Sequence, residues 1–146
     1  MTAPPLRELF VQFRIECEWI RSCYNTYQAL WERGSKPIEL MRASAQGFFG
    51  DLSRLLIEYL YLRICLITDP PTSRPTGGRA NLTCQFLNTE FERVKGKPLP
   101  VVIKQSTDAM LRLRDFLLPA RNRLLAHLDV EDIFLQQDLG AHPQQE

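Results

Sequence analysis

Leu6, Phe10, Phe13, Cys17, Ile20, Tyr24, Tyr27 and Trp31 recur at alternating intervals of four and three residues. This heptad-like spacing is held for more than three heptads. A strand would need a period of two, so the spacing predicts one long amphipathic helix from about Pro5 to Arg33. Pro5 suits its first turn and Gly34 its end. One apolar stripe cannot bury itself, so another long helix must lie along it.

The next segment, from about Pro37 to Thr68, supplies that partner. Leu52, Leu55, Leu56, Tyr59, Leu62 and Leu66 give it a helical stripe. Gly47 and Gly50 weaken its first half by up to about 1 kcal/mol each against alanine, and mark a close crossing or a bend. The short link Gly34-Ser35-Lys36 predicts an antiparallel helical hairpin. From Asp69 to Gly78, three prolines and two glycines predict a loop. A shorter helix is expected over about Asn81 to Val94, with Asn81 as its N-cap and Leu82, Phe86, Leu87 and Phe91 inward. Lys95-Gly96-Lys97-Pro98 ends it.

The last helical segment runs from about Pro100 to His127, with Met110, Leu113, Leu117, Ala120, Leu124 and Leu128 as its stripe. Pro119 interrupts it, because proline removes one backbone hydrogen bond and crowds the carbonyl of residue 115. Either the helix kinks there or Pro119 opens a new one. The expected architecture is an all-α, up-and-down bundle of about four main helices over residues 1–130. Residues 131–146 form an acidic, Gln-rich tail.

Composition narrows what such a bundle can do. A chain of 146 residues can bury a core without staples. Its net charge of +1 gives no global basic field, so any RNA contact must come from a local patch. Cys17, Cys23, Cys65 and Cys84 contain no Cys-x-x-Cys pair, and only two histidines accompany them. That argues against a zinc site and for buried, reduced thiols in a reducing compartment. No metal and no cofactor is expected. The first residues lack a basic region followed by an apolar run. The richest apolar stretch, Leu55 to Ile67, is broken by Glu58 and Arg63. The expectation is a soluble, cytoplasmic protein with no membrane partner.

The informative stretch is Pro119-Ala120-Arg121-Asn122-Arg123-Leu124-Leu125-Ala126-His127-Leu128-Asp129. It places two arginines, an asparagine and a histidine within seven residues, directly after a helix breaker. His127 is of the type that titrates near neutral pH and serves as general acid or base. Arg121 stays protonated and can pair with a phosphate as negative charge develops. Asn122 can hydrogen-bond a phosphate oxygen or hold His127 in one tautomer.

This motif resembles the signature of the HEPN superfamily, in which Arg, a small polar residue, four further residues and His form a ribonuclease site. Three blocks in order look like its abortive-infection U-type branch: Ile64 to Pro71, Gly78 to Thr83, and Arg121 to Asp129. The likeness covers about residues 5–130. It implies a metal-independent endoribonuclease that cuts single-stranded RNA, leaving a 2′,3′-cyclic phosphate or its opened product and a 5′-hydroxyl. It also implies a role as toxin or phage-defence effector, with RNA as partner and a nucleotidyltransferase-like antitoxin as a further one. A homodimer through the motif helix is implied as well. The alternatives are a non-catalytic HEPN module binding RNA, nucleotide or protein, and a plain helical interaction domain.

Regular helical geometry complicates the motif. Six residues put Arg121 roughly 120° from His127 and about 9 Å along the axis. Arg123 shares the face of His127 better and is an accessory candidate. Either the helix is irregular near Pro119, or a second protomer completes the site across a two-fold axis. The plain readings are a histidine on the apolar stripe and arginines on a solvated face. Asp129 is either an ordinary helix-end residue or a group that orients His127. Gly77-Gly78-Arg79 could cradle phosphate with free N–H groups, although no Gly-Lys-Ser/Thr follows. The aromatics Trp19, Tyr24, Tyr27 and Trp31 are read as core, and Asp69-Pro70 as the stop of the second helix.

Overall fold

The computed structural model describes residues 4–72 and 79–122. Helix α1 spans Leu6–Tyr27 and passes into a π turn over Gln28–Glu32. Helix α2 spans Ser35–Thr68, α3 spans Cys84–Lys95 and α4 spans Val101–Ala120. Among the described residues the β structure amounts to one antiparallel bridge, between Thr72 and Ala80. The fold is thus the all-α bundle that the apolar spacing demands. α1 lies against α2 and α3, while α4 packs chiefly on α2. The Asn88 side chain donates to Thr107 Oγ1 at 2.9 Å, tying α3 to α4.

The core centres on Ile20, Cys23 and Leu60, with Leu56, Tyr59, Ile64 and Ile67 packed against them. It keeps most of the expected faces: Ile20 and Tyr27 of the α1 stripe are buried, and Leu56 and Tyr59 of the α2 stripe pack on the core, but some stripe members are left out. Phe10 and Tyr24 stand exposed although both lie on the α1 stripe, and Trp19 is 55% exposed. Leu55 and Leu66 are exposed on α2, where Leu60 and Cys65 are buried instead. Periodicity fixes the spacing of a helix's apolar positions, but not which side of the stripe its neighbours cover. Tyr27 is the aromatic that is buried as expected, and it stacks on Trp31 with ring centroids 5.2 Å apart.

α2 bends, but not at its glycines. The non-helical residue is Ala45, at φ −160° and ψ 68°. Just before it, the Ser44 hydroxyl donates to the carbonyls of Leu40 at 2.8 Å and Met41 at 3.3 Å. Such back-bonding competes with the helical ladder and bends helices. A Cβ on Gly47 or Gly50 would meet nothing within 4 Å, so neither marks a close crossing.

The N-cap of α3 is Thr83, not Asn81. The Thr83 hydroxyl accepts the Phe86 N–H at 3.2 Å, while the Asn81 side chain donates to the Pro70 carbonyl at 3.1 Å. Both residue types cap helices. Here the amide is spent across the loop, and the hydroxyl sits immediately before the helix. At the other end Gly96 adopts the left-handed conformation at φ 60° and donates its N–H to Glu92. Thr83→Ala is expected to lower stability by about 1 kcal/mol in urea unfolding. Asn81→Ala should leave α3's own helicity intact, as read by amide exchange of its first turn.

Candidate functional site

α4 does not stop or restart at Pro119. It runs through to Ala120 and then widens into a π turn at Arg121 and Asn122. The Arg121 N–H reaches the carbonyls of Leu117 and Leu118. Of the two expectations for Pro119, the new helix is excluded and a local distortion is found, set just after the proline. Pro119 cannot donate to the ladder and crowds the carbonyl of residue 115, and the widened turn follows it directly.

At this distorted end the Arg121 guanidinium is engaged on two sides. Nη1 donates to Asn122 Oδ1 at 2.9 Å, and Nη2 donates to Asp69 Oδ2 at 3.4 Å. Arg114, two turns earlier on α4, donates from Nε and Nη2 to the other carboxylate oxygen, Asp69 Oδ1, at 3.4 and 3.3 Å. One carboxylate at the end of α2 therefore lies between two guanidiniums of α4. The side chains of Asp69, Arg114 and Arg121 are 18%, 19% and 29% exposed.

The ground beneath this group is well built. Thr68 and Cys65 are fully buried. The Thr68 hydroxyl donates to the Ile64 carbonyl at 2.6 Å, and its own carbonyl accepts from Gln85 Nε2 at 3.3 Å. Asn81 closes the loop by donating its N–H to the Pro71 carbonyl at 2.8 Å. The described parts of the three sequence blocks thus meet at one place. The first supplies Asp69, the second is tied to it through Asn81, and the third supplies Arg121 and Asn122.

Burial pushes the Cys65 thiol up from its ordinary value, with Arg121 and Arg114 pulling it down and Asp69 raising it further. Burial also raises the Cys84 and Cys17 thiols. All four cysteines are free. A raised thiol pKa favours the neutral form in the folded state. The stabilisation is therefore complete below the ordinary thiol range and fades as pH rises through the folded values. In mildly alkaline buffer, native Cys65 and Cys84 are expected to react with iodoacetamide about tenfold more slowly than in denaturant. Mass spectrometry of the alkylated peptides reads this directly.

The other candidates fall differently. Arg79 is exposed, and among the described residues no hydrogen bond or ion pair joins it to Arg121. His127, Arg123, Asp129 and Gly77-Gly78 lie outside the described residues, as does the tail. In the sequence Asp69 reads only as the stop of the second helix, and nothing local pairs it with an arginine. Its partners lie 45 and 52 residues away, which no local pattern reveals. One signal was legible: Pro70 alone suffices to end the helix, so the carboxylate beside it needed another explanation. No group of His, Cys, Asp and Glu among the described residues could hold a metal ion. No helix there is long and apolar enough to cross a membrane.

The family model for HEPN AbiU2 matches residues 3–146. The chain belongs to this family. The matched range includes the residues of the three blocks and of the Arg121-to-His127 motif. No curated protein and no solved structure matches the chain.

Proposed function

We infer that this HEPN AbiU2 protein is a metal-independent endoribonuclease acting on single-stranded RNA, with a toxin or phage-defence role. The observation that carries the reading is Arg121. It stands at the widened end of α4, part-exposed, beside Asn122, at the junction of the three family blocks. A guanidinium so placed can offer N–H donors to a phosphodiester while staying anchored to the protein. The 2′-hydroxyl attacks the adjacent phosphorus, and the bond to the 5′-oxygen breaks. His127 is assigned the proton transfers, Arg121 the charge on the phosphoryl oxygens, and Asn122 the orientation of either. Arg123, Asp129 and Arg79 are accessory candidates for contact with the RNA strand. The active unit is taken to be a homodimer paired through the motif helix, with a nucleotidyltransferase-like antitoxin as a further partner.

The test is to incubate purified protein with single-stranded RNA in EDTA and to analyse the ends. The expected products carry a 2′,3′-cyclic phosphate, or its opened form, and a 5′-hydroxyl. RNA that is bound but left intact would point instead to a non-catalytic HEPN module. Strictly monomeric protein in light scattering would remove the composite site from the proposal.

A further inference from the structure

Asp69 sits where a carboxylate is least welcome. It is the C-cap of α2, and the last turn of a helix carries partial negative charge. Pro70 already ends the helix and sets Asp69 at φ −60° and ψ 161°. Its charge is offset only by what faces it, and two arginines do. Arg114 on α4 and Arg121 just past its end are seven residues apart, a spacing that in a regular helix places both on one face within about 20° and about 10.5 Å apart along the axis. The carboxylate lies between them and gives one oxygen to each.

The charge count of the group has a consequence. Had Asp69 paired with Arg121 alone, the two would sum to zero and would exert little pull on a phosphate. With Arg114 on the other oxygen, two guanidiniums meet one partly buried carboxylate; Arg114 Nη1 also stands 3.5 Å from Asp115, but that side chain is 73% exposed and its charge is screened by water, so the partly buried group carries +1. Arg114 is less exposed than Arg121, so the surplus charge is presented to solvent through Arg121. We propose that Asp69 is a positioning residue that fixes the Arg121 guanidinium, and that Arg114 is the counter-cation that keeps the fixed group able to attract a phosphodiester. This rests on the reading of Arg121 as the phosphate-facing cation of a ribonuclease.

Two measurements separate the parts. The first is affinity for a single-stranded oligodeoxynucleotide, which lacks the attacking 2′-hydroxyl, as a function of NaCl. Each unit of charge that engages a single strand steepens the slope of log K on log salt by about 0.7. Arg114→Met should flatten the slope by about that amount and weaken binding. Asp69→Asn should steepen it by a similar amount. The double variant, with the count back at +1, should return to the wild-type slope. The second measurement is RNA cleavage at saturating substrate. Asp69→Asn should be at least about tenfold slower, because a misplaced group loses orientation even when charge is ample. The double variant should stay slow, and Asp69→Glu, which keeps the tether, should recover most of the rate.

Tighter binding with slower cleavage in Asp69→Asn is the signature sought, since simple loss of folded protein would lower both. Unchanged slope in Arg114→Met, or full cleavage rate in Asp69→Asn, overturns the proposal. If wild-type protein binds RNA without cutting it, the ribonuclease reading fails but the tether is still decided. The Arg121 side-chain N–H signals in 15N NMR, assigned by their loss in Arg121→Ala, should exchange faster with water in Asp69→Asn and Asp69→Ala. Equal exchange in wild type and both variants sinks it.

Discussion

His127→Ala is expected to slow RNA cleavage in EDTA by about 10²–10⁴-fold, and Arg121→Ala by about 10²–10³-fold. The two losses have different origins. A general acid or base contributes by moving a proton in the transition state, and nothing else in the 121–127 segment titrates near neutral pH. An arginine contributes by meeting charge that grows on the phosphoryl oxygens, so its removal acts on the chemical step as well as on binding. The variants should therefore part company in a controlled way. Arg121→Lys keeps the charge but loses the fork that reaches Asp69 and Asn122 together. It should bind RNA nearly as well as wild type and still cleave about tenfold or more slowly. The measurement is steady-state cleavage with RNA above and below KM, beside melting curves for each variant. Cleavage by His127→Ala at the wild-type rate removes His127 from the mechanism outright. Equal rates for Arg121→Lys and wild type would mean that charge alone, without the fork, is what the site uses.

The fold was legible in the sequence to a greater depth than the site. Heptad spacing, Pro5, Gly34 and the proline-rich loop are local signals, and the helices they imply are the helices observed. What spacing does not carry is the identity of the neighbour. Phe10 and Leu55 obey their stripes yet stand exposed; Phe10 lines an open cleft beside Leu87 and Phe91 of α3, which do not close over it. Chemistry at short range can be ambiguous for the same reason. Asn81 and Thr83 both have the side chains of an N-cap, and only the position of Pro70 decides that the amide turns away. The candidate site shows the limit most plainly. Its three blocks could be recognised one by one, but their convergence depends on Asp69 meeting Arg114 and Arg121 across a gap of 45 and 52 residues. Tertiary contact of that kind leaves no period and no motif.

Because the site spans two helices, its integrity should be sensitive to how α4 is docked. The buried residues of α4 are Leu117 and Ala120, and Leu117 is 4% exposed. It lies between Arg114 and Arg121 in sequence, and its side chain faces an apolar cleft shared with Ile64, Ile67 and Thr68 of α2. Leu117→Ala is expected to lower stability by about 2–3 kcal/mol, toward the lower end of the range for buried leucines because the cleft is open on one side. Phe116, one residue earlier, is 59% exposed, and Phe116→Ala should stay within about 0.5 kcal/mol of wild type. Urea unfolding followed by circular dichroism measures both. The two variants also separate docking from chemistry. In Leu117→Ala the arginines and His127 are intact, yet looser contact between α4 and α2 lengthens an Asp69–Arg121 pair that already stands at 3.4 Å. Local opening of this kind precedes global unfolding. Cleavage should therefore fall under conditions where helix content is still at the wild-type level, and Phe116→Ala should show no such loss. Equal activity in the two variants would mean that the α2–α4 contact does not govern the site.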